Sequence, residues 1–324
     1  MHKTLAVIAL IGSTLVGRRR RRGGADLLDL MRSPSGNVLS QLPKKLASLL
    51  GCESARLELK WMKESLRPSD HPSTLQKMVE RRLQGEPLQY ILGTTPFGPL
   101  SLLCRPPTLI PRPETEDWTL RLANTISPKS SRPLSVLDLC TGSGCIPLLL
   151  CHLWPPGSTR AFGVDISKQA IKLATDNAAR CNIPAHSGAD SLCNVFVPVL
   201  GDFRDTKFLK KLGAPFDVVT ANPPYIPEQE YDQLSPSVKD YEDPRALLGD
   251  LPESPIQNGL SFYHLIARFL AEKGILRNGA TVALEVGDRQ AEAVENILHC
   301  SAGLRHTEIW TDPWGKQRVV LARV

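Results

Sequence analysis

The segment SVLDLCTGSGCIPLLLCHLW, residues 135–154, contains a short apolar strand, a glycine-containing turn and an apolar helix in direct succession. SVLDL has the length and composition of a buried strand. IPLLLCHLW is typical of a helix, and Pro147 falls in its first turn, where proline is tolerated because the missing N–H has no helical partner. Between them, Gly142 and Gly144 permit a tight turn and let a ligand approach the backbone. This segment therefore predicts the first strand–turn–helix unit of an α/β fold.

The same alternation continues to the C-terminus. Ser167 is placed to cap a helix, and the apolar spacing over residues 262–270 indicates another. Further strands are predicted at TRAFGVD, NVFVPVL, FDVVTA, ATVALEVG, HTEIWTD and RVVLARV. Strands that alternate with helices predict a parallel α/β sheet with helices on both faces. Its ligands are expected at the carboxyl ends of the strands, where the strand order reverses.

The chain before this sheet divides into two parts. Residues 25–89 have no strand-like alternation, and the apolar spacing over residues 74–83 is that of an amphipathic helix, so we predict a small helical domain. Two glycines and six prolines interrupt residues 90–113, which excludes a helix there and predicts a hairpin or extended connector. Residues 114–324 then form the α/β domain.

Composition and charge restrict the classes of protein. With 42% hydrophobic and 22% charged residues, the chain can bury a full core. Six of its 39 basic residues lie within residues 1–24, which contain no acid. The rest of the chain therefore has equal numbers of basic and acidic residues, 33 of each. That balance argues against a nucleic-acid-binding body. The eight cysteines form no C-x-x-C pair and no zinc spacing, so no metal site is predicted.

Residues 1–24 read as a basic leader. Their apolar run, residues 5–17, is too short to span a bilayer, which needs about 20 residues. Five arginines follow this run, whereas a secretory signal has its charge before the run. Arginine without acid favours a mitochondrial presequence, and the alternatives are a disordered basic tail or a short membrane-associating stretch. We therefore predict a mitochondrial protein that is not integral to a membrane, with a cytoplasmic location as the alternative.

The glycine turn favours S-adenosylmethionine over NAD. Asp165 closes the second strand, 21 residues after Gly144, where a carboxylate can accept both ribose hydroxyls of an adenosine. The dinucleotide fingerprint G-x-G-x-x-G fails, because Pro147 occupies its third glycine position. NAD uses that fingerprint to seat its pyrophosphate on the helix N-terminus, whereas S-adenosylmethionine has no phosphate.

The end of the third strand, at Asp202 and Phe203, is the next candidate. Either Asp202 or the Phe203 backbone is expected to meet the edge of the adenine, with the Phe203 ring against its face. A turn or helix cap is the alternative role for Asp202.

Asn222, Pro223, Pro224 and Tyr225 directly follow the strand FDVVTA. Asn-Pro and Pro-Pro are common in turns, but this strand end lies next to the cofactor turn. An amide nitrogen is a poor nucleophile, so a site that methylates one must hold both N–H groups in fixed directions. The Asn222 side-chain oxygen and the Pro223 carbonyl can each accept one N–H, two prolines stiffen the backbone, and Tyr225 offers an aromatic face to a planar acceptor. We infer a site for methyl transfer to a planar amide nitrogen.

Together these segments resemble the HemK/PrmC-type protein-(glutamine-N5) methyltransferases, which modify the Gly-Gly-Gln glutamine of peptide-chain release factors. The resemblance runs from about Glu86 to the C-terminus, and IPRPETE with YEDPRALLG is its most specific part. It rests on EPLQYILG (86–93), TLIPRPETE (108–116), DLCTGSG (138–144), GVD (163–165), NPPYIP (222–227), YEDPRALLG (241–249), NGLSFY (258–263), LEVGDRQ (284–290) and DPWGKQRVVLA (312–322).

The resemblance implies a Rossmann-like class I S-adenosylmethionine methyltransferase of the bacterial or organellar type, with a class I release factor as its protein partner. In the family, the helical N-terminal domain helps to grip that partner. Direct DNA binding is not expected. The implied cofactor contacts are Cys140, Thr141, Gly142, Ser143, Gly144, Asp165, Asp202, Phe203 and Asn222. The implied substrate contacts are Asn222, Pro223, Pro224 and Tyr225, of which Asn222, Pro223 and Tyr225 are the predicted catalytic residues.

Two positions depart from the family pattern. Cys140 stands where the family usually has glycine, and Phe203 stands where relatives often have tryptophan. Arg112, Glu114 and Glu116 have two readings, either as a rigid connector whose acids suit a helix start or as a border of the active-site cleft. The alternative functions are an adenine-N6 nucleic-acid methyltransferase that uses the same Asn-Pro-Pro-Tyr site and a non-catalytic binding module.

Overall fold

The computed structural model describes residues 36–71, 73–186, 192–252 and 258–324. The predicted leader at residues 1–24 lies outside the described residues, as does the start of the predicted helical domain. The chain divides into two compact units, Met1–Leu92 and Gly93–Val324. Among the described residues, no helix has the length and apolar character needed to cross a membrane.

The first unit is helical in the part that the structure describes. Its helices are α1 (Gly36–Leu50), α2 (Cys52–Ser65), α3 (Ser73–Leu83) and α4 (Leu88–Leu92). The amphipathic helix predicted over residues 74–83 is confirmed as α3. Helix α4 extends past the boundary predicted at residue 89, because its buried residues Leu88 and Ile91 pack into the same apolar core as α1 to α3. A partly buried ion pair crosses this unit, with Arg82 Nε 2.7 Å from the buried Glu58 Oε2.

The second unit begins with an antiparallel hairpin, β1 (Thr94–Phe97) and β2 (Leu100–Leu103). The hairpin lies inside the predicted connector, and Gly98 takes a left-handed φ of 56° at its turn. The side chain of Asn177 anchors it, since Oδ1 accepts from Leu103 N at 2.7 Å and Nδ2 donates to Ser143 O at 3.0 Å. The hairpin is therefore hydrogen-bonded to the helix that follows the second sheet strand and, through it, to the glycine turn.

A seven-stranded sheet forms the centre of this unit, with strand order β5-β4-β3-β6-β7-β9-β8. Its strands are β3 (Leu134–Leu139), β4 (Thr159–Asp165), β5 (Val195–Leu200), β6 (Phe216–Ala221), β7 (Leu276–Glu285), β8 (His306–Thr311) and β9 (Gln317–Arg323). The α-helices around it are α5 (Pro113–Thr125), α6 (Cys145–Leu153), α7 (Lys168–Arg180), α8 (Thr206–Gly213), α9 (Glu228–Tyr231), α10 (Pro236–Lys239), α11 (Ser261–Leu270) and α12 (Ala291–Ile297), with a 3₁₀ turn at Pro244–Ala246 and a π-helical turn at Leu298–Ala302. Each strand predicted from sequence is present.

The predicted parallel sheet contains one antiparallel strand that the sequence pattern did not indicate. β9 pairs antiparallel with both β7 and β8. Only residues 312–316 connect β8 to β9, and so short a link permits a hairpin but not a parallel crossover, which needs a dozen or more residues. The other six strands run in one direction.

Helices cover both faces of the sheet, as predicted. Successive strand residues point to opposite faces, so Val136 packs in one apolar cluster and Leu137 in the other. Trp118 of α5 lies in the first cluster, and Tyr263 of α11 lies in the second. The strand order reverses between β3 and β6, which places the expected ligand site at the carboxyl ends of these two strands.

A buried asparagine fastens the start of β4 to neighbouring loops. Asn194 Oδ1 accepts from Ser158 N and Thr159 N at 2.9 and 3.0 Å, and its Nδ2 donates to Cys151 O and Trp154 O at 2.7 and 3.0 Å. One side chain therefore satisfies four backbone groups that are shielded from water.

Replacing this side chain, Asn194→Ala, is expected to lower the free energy of unfolding by about 2–4 kcal/mol, because several buried backbone groups lose their partner at once. Urea unfolding measures this directly. Gln233→Ala, at an exposed side chain that donates to Gln229 O, is the control and should change stability by less than about 0.5 kcal/mol. Equal stability of the two variants would show that the Asn194 side chain does not stabilise the start of β4.

Candidate active site

Two loops leave the same edge of the sheet side by side. β3 and β6 pair in parallel, and the last register pair is Leu139 with Ala221. The glycine turn at residues 140–144 and the segment at residues 222–225 begin at the next residues. Below them, Thr220 Oγ1 donates to Asp138 Oδ1 at 2.6 Å and ties the two strand ends together. The structure therefore brings together the two segments that the sequence singled out.

The turn itself uses three left-handed backbone conformations. Cys140, Gly142 and Gly144 have φ of 57°, 54° and 80°. A Cβ added to Gly142 would meet only Cys140 O at 4.0 Å, so the space in front of that residue is open. A Cβ on Gly144 would lie 3.0 Å from the Phe196 ring, so this glycine allows close packing behind the turn. Cys140 adopts the glycine-like conformation that its position requires despite carrying a side chain.

Asp165 supports the turn from the end of β4. Its Oδ2 accepts from Gly142 N at 2.9 Å, and its Oδ1 accepts from Ser167 N at 2.8 Å. Burial raises the pKa of this carboxyl, and the two backbone N–H groups oppose the rise. Each carboxylate oxygen retains a further acceptor site, so the predicted ribose contact remains compatible with this geometry.

Asp138 and Thr141 lie beneath the turn. Both are buried, and Asp138 has no exposed surface. Among the described residues, Asp138 Oδ2 and Thr141 Oγ1 lack a partner with hydrogen-bonding geometry. Burial raises the pKa of Asp138 to about 7, which the neighbouring hydroxyls of Thr141 and Thr220 oppose. The Thr141 hydroxyl is therefore close enough to affect the Asp138 carboxyl without a hydrogen bond of good geometry, and both groups lie directly beneath the glycine turn.

Asp202 and Phe203 are engaged with the protein itself. The Asp202 carboxylate accepts from Arg204 through both the backbone N–H and the guanidinium, which lowers the pKa of Asp202. This is the turn-capping role that the sequence left open for it. The Phe203 ring is buried and packs against Phe262, with ring centroids 6.2 Å apart. The adenine contacts of these two residues stay predictions.

Asn222 is held by a buried network that the sequence did not predict. Its Nδ2 donates to Thr115 Oγ1 at 3.3 Å. Thr115 Oγ1 and Trp118 Nε1 both donate to Glu285 Oε2, at 2.6 and 2.7 Å. Burial raises the pKa of Glu285, and these two donors oppose the rise. One signal was available in the sequence: Glu285 is a lone acid at the end of the apolar strand ATVALEVG.

Tyr225 lies in a tight cradle of glycines. A Cβ on Gly249 would lie 2.6 Å from Tyr225 Cα, one on Gly287 would lie 3.0 Å from Tyr225 Cδ2, and one on Gly259 would overlap the Tyr225 carbonyl oxygen. Gln290 Nε2 donates to that same oxygen at 2.9 Å. Burial raises the pKa of the Tyr225 hydroxyl well above its usual value. The motifs YEDPRALLG, NGLSFY and LEVGDRQ thus converge on the 222–225 segment.

The connector residues have separate roles. Arg112 Nη2 lies 2.6 Å from Glu242 Oε2 and lowers the pKa of this buried carboxyl against the larger effect of burial. Glu114 and Glu116 both lie in the first turn of α5, where acids are favourable. Burial also raises the pKa of Glu116, and the backbone N–H of Gly98 opposes this. Arg112 therefore has the connector role, and the positions of Glu114 and Glu116 at the helix start agree with that role.

The described residues contain no group of three or more His, Cys, Asp or Glu side chains that is arranged to hold a metal ion. The segments at residues 140–144 and 222–225 can contact a ligand through hydrogen-bond donors and acceptors.

Comparison with known proteins adds independent information. Residues 46–93 match the model of the PrmC N-terminal domain. The chain is 38% identical to a release factor glutamine methyltransferase of Thermodesulfovibrio yellowstonii, over 78% of this chain and 82% of the relative. It is 32% identical to the MTRF1L release factor glutamine methyltransferase of Homo sapiens, over 72% and 68%. It is 34% identical to the mitochondrial MRF1 N(5)-glutamine methyltransferase of Saccharomyces cerevisiae, over 61% and 60%.

The glycine cradle generates a structural prediction. In Gly249→Ala, the new methyl group would displace the backbone of Tyr225, so the hydrogen bonds between Ile226 N and Leu247 O and between Gly249 N and Ile226 O, both 2.9 Å, should weaken. Amide hydrogen exchange at residues 226 and 249 is expected to accelerate at least about tenfold. Gly303→Ala is the control, because no atom lies within 4 Å of its added Cβ, although its φ of 71° is left-handed, so it adds backbone strain without a clash. Unchanged exchange in Gly249→Ala would contradict the cradle.

The buried Asp138 predicts a pH-dependent stability. Its pKa is about 7 in the folded chain and about 3.9 when unfolded, so between these values the folded state binds the extra proton. Stability therefore falls as pH rises toward 7. Relative to Asp138→Asn, the wild type should lose about 2–3 kcal/mol of unfolding free energy between pH 5 and pH 8. Urea titrations at both pH values measure this, and a constant difference between the two proteins would refute it.

Proposed function

This chain belongs to the release factor glutamine methyltransferase family, and on that premise we propose its reaction. It transfers a methyl group from S-adenosylmethionine to the side-chain amide nitrogen of the glutamine in the Gly-Gly-Gln motif of a class I peptide-chain release factor. The proposal depends on the placement of Asn222 and Pro223 beside the glycine turn, since both segments begin directly after the last register pair, Leu139 with Ala221.

The residues around the glycine turn fit S-adenosylmethionine. The cofactor carries ribose hydroxyls, a carboxylate and two positive centres. Asp165 offers acceptors for ribose, and the open space before Gly142 admits a ligand to the backbone. When bound, the cofactor supplies a methyl group on a positively charged sulfur.

The segment 222–225 is suited to holding a glutamine side chain. The lone pair of an amide nitrogen is delocalised, so the site must hold that nitrogen in one orientation. Asn222 Oδ1 and the Pro223 carbonyl are acceptors for its two N–H groups. Two prolines and the glycine cradle of Tyr225 keep these acceptors fixed before the substrate arrives, which is preorganisation. The amide loses one proton after the transfer, so the site needs no strongly basic side chain.

Two features support the finer parts of the proposal. The match of residues 46–93 to the PrmC N-terminal domain supports a role for the helical unit in holding the release factor. The arginine-rich leader, together with a yeast relative named as mitochondrial, supports a mitochondrial location.

The proposal is tested with labelled S-adenosylmethionine and either a class I release factor or duplex DNA. Label is expected on the release factor and not on DNA. Asn222→Ala should reduce transfer about 100-fold or more, because an acceptor for the reacting amide is lost. A release factor with alanine in place of the Gly-Gly-Gln glutamine is the substrate control.

Label on DNA would instead support the adenine-N6 alternative. Tight cofactor binding without transfer to either substrate would support a binding module and would sink the proposed reaction.

A further inference from the structure

The amide of Asn222 has two ends of similar shape and opposite hydrogen-bonding character. Oδ1 accepts a hydrogen bond, and Nδ2 donates one. Only Oδ1 can receive an N–H of a glutamine side chain, whereas Nδ2 would pair with a carbonyl or a carboxylate. The end that faces the substrate therefore decides which side chain the site prefers, and some part of the protein has to select it.

The selection begins at Trp118. An indole N–H donates and never accepts, so the 2.7 Å contact of Trp118 Nε1 makes Glu285 Oε2 an acceptor. A carboxylate oxygen has two acceptor positions in its plane, and the second is filled by Thr115 Oγ1 at 2.6 Å. Trp118, Thr115 and Glu285 are 2%, 1% and 1% exposed, so water does not compete for these positions.

The Thr115 hydroxyl sets the orientation of the Asn222 amide. A hydroxyl has one hydrogen, and the one on Thr115 is committed to Glu285. Its oxygen can then only accept, and the group it accepts from is Asn222 Nδ2 at 3.3 Å. The amide plane holds Oδ1 on the opposite side from Nδ2, which leaves Oδ1 as the end that is free for a ligand.

We propose that Thr115 is a positioning residue that sets the direction of the Asn222 amide, and that Glu285 and Trp118 act through it to make the site select a glutamine amide over a glutamate carboxylate. Three elements supply the chain of donors: α5 carries Thr115 and Trp118, β7 ends at Glu285, and Asn222 follows β6. This inference rests on the proposed function, because it concerns how the same site recognises its substrate.

The matched variants lie on one helix. Thr115→Val removes the hydroxyl and keeps the shape, Thr115→Ala removes it without the branched side chain, and Thr115→Ser keeps it. Thr119→Val is the control, because Thr119 is equally buried on α5 but donates to the helix backbone, to Thr115 O at 2.6 Å. For each protein the kcat and KM for the release factor are measured, together with cofactor affinity.

The readout specific to the inference is discrimination. A release factor with glutamate in place of the Gly-Gly-Gln glutamine serves as a competitive inhibitor, and the ratio of its inhibition constant to the KM of the glutamine form is compared between variants. Thr115→Val and Thr115→Ala are expected to lower this ratio about tenfold and kcat about 10- to 100-fold. In Thr115→Ser and Thr119→Val, both the ratio and kcat should stay within about threefold of the wild-type values.

An unchanged ratio in both Thr115→Val and Thr115→Ala would overturn the inference. An equally lowered ratio in Thr119→Val, or a Thr115→Ser ratio as low as that of Thr115→Val, would also overturn it. Failure of the wild-type protein to methylate the release factor is a different result. It would refute the proposed function and not the role of Thr115 alone.

Discussion

The parallel pairing of β3 with β6 is the constraint on which the rest of the site depends. The two strands are far apart in sequence, yet their last paired residues, Leu139 and Ala221, are neighbours in the sheet. Parallel strands end at the same edge, so the loops that follow them start together. The buried hydrogen bond from Thr220 to Asp138 holds this edge where the two loops diverge. Without that pairing, the glycine turn and the Asn222 segment would be two unrelated turns.

Three acids of this unit are buried and carry a raised pKa. Asp138, Glu242 and Glu285 are each removed from water, and burial raises the pKa of all three. Glu242 forms an ion pair with Arg112, and Glu285 accepts hydrogen bonds from Thr115 and Trp118. Asp138 keeps one oxygen without a hydrogen-bond partner among the described residues. Burying an ionisable group costs free energy unless it is paired, so these contacts offset part of that cost.

Much of the fold could be predicted from sequence because it depends on local patterns. Each strand of the sheet, the Ser167 cap and the glycine turn follow from short apolar runs and single turn residues, and Ser167 does accept from Ala170 N. The direction of β9 was missed, since a strand pattern has no direction and only the short link from β8 sets it. The Thr115–Glu285 contact joins residues 170 positions apart, and no local pattern reports such a pair. The Arg204 contacts of Asp202 are local, but sequence alone left its turn role and its ligand role equally open.

The proposed reaction requires an amide nitrogen held between Asn222 Oδ1 and the Pro223 carbonyl beside the glycine turn. A crystal structure of the protein with S-adenosylhomocysteine and a Gly-Gly-Gln peptide would show whether it lies there. We expect the glutamine nitrogen to donate to both oxygens at about 2.8–3.2 Å, with Asn222 Nδ2 still donating to Thr115 Oγ1. A glutamine bound away from residues 222–225, or an Asn222 that turns Nδ2 toward the peptide, would contradict it.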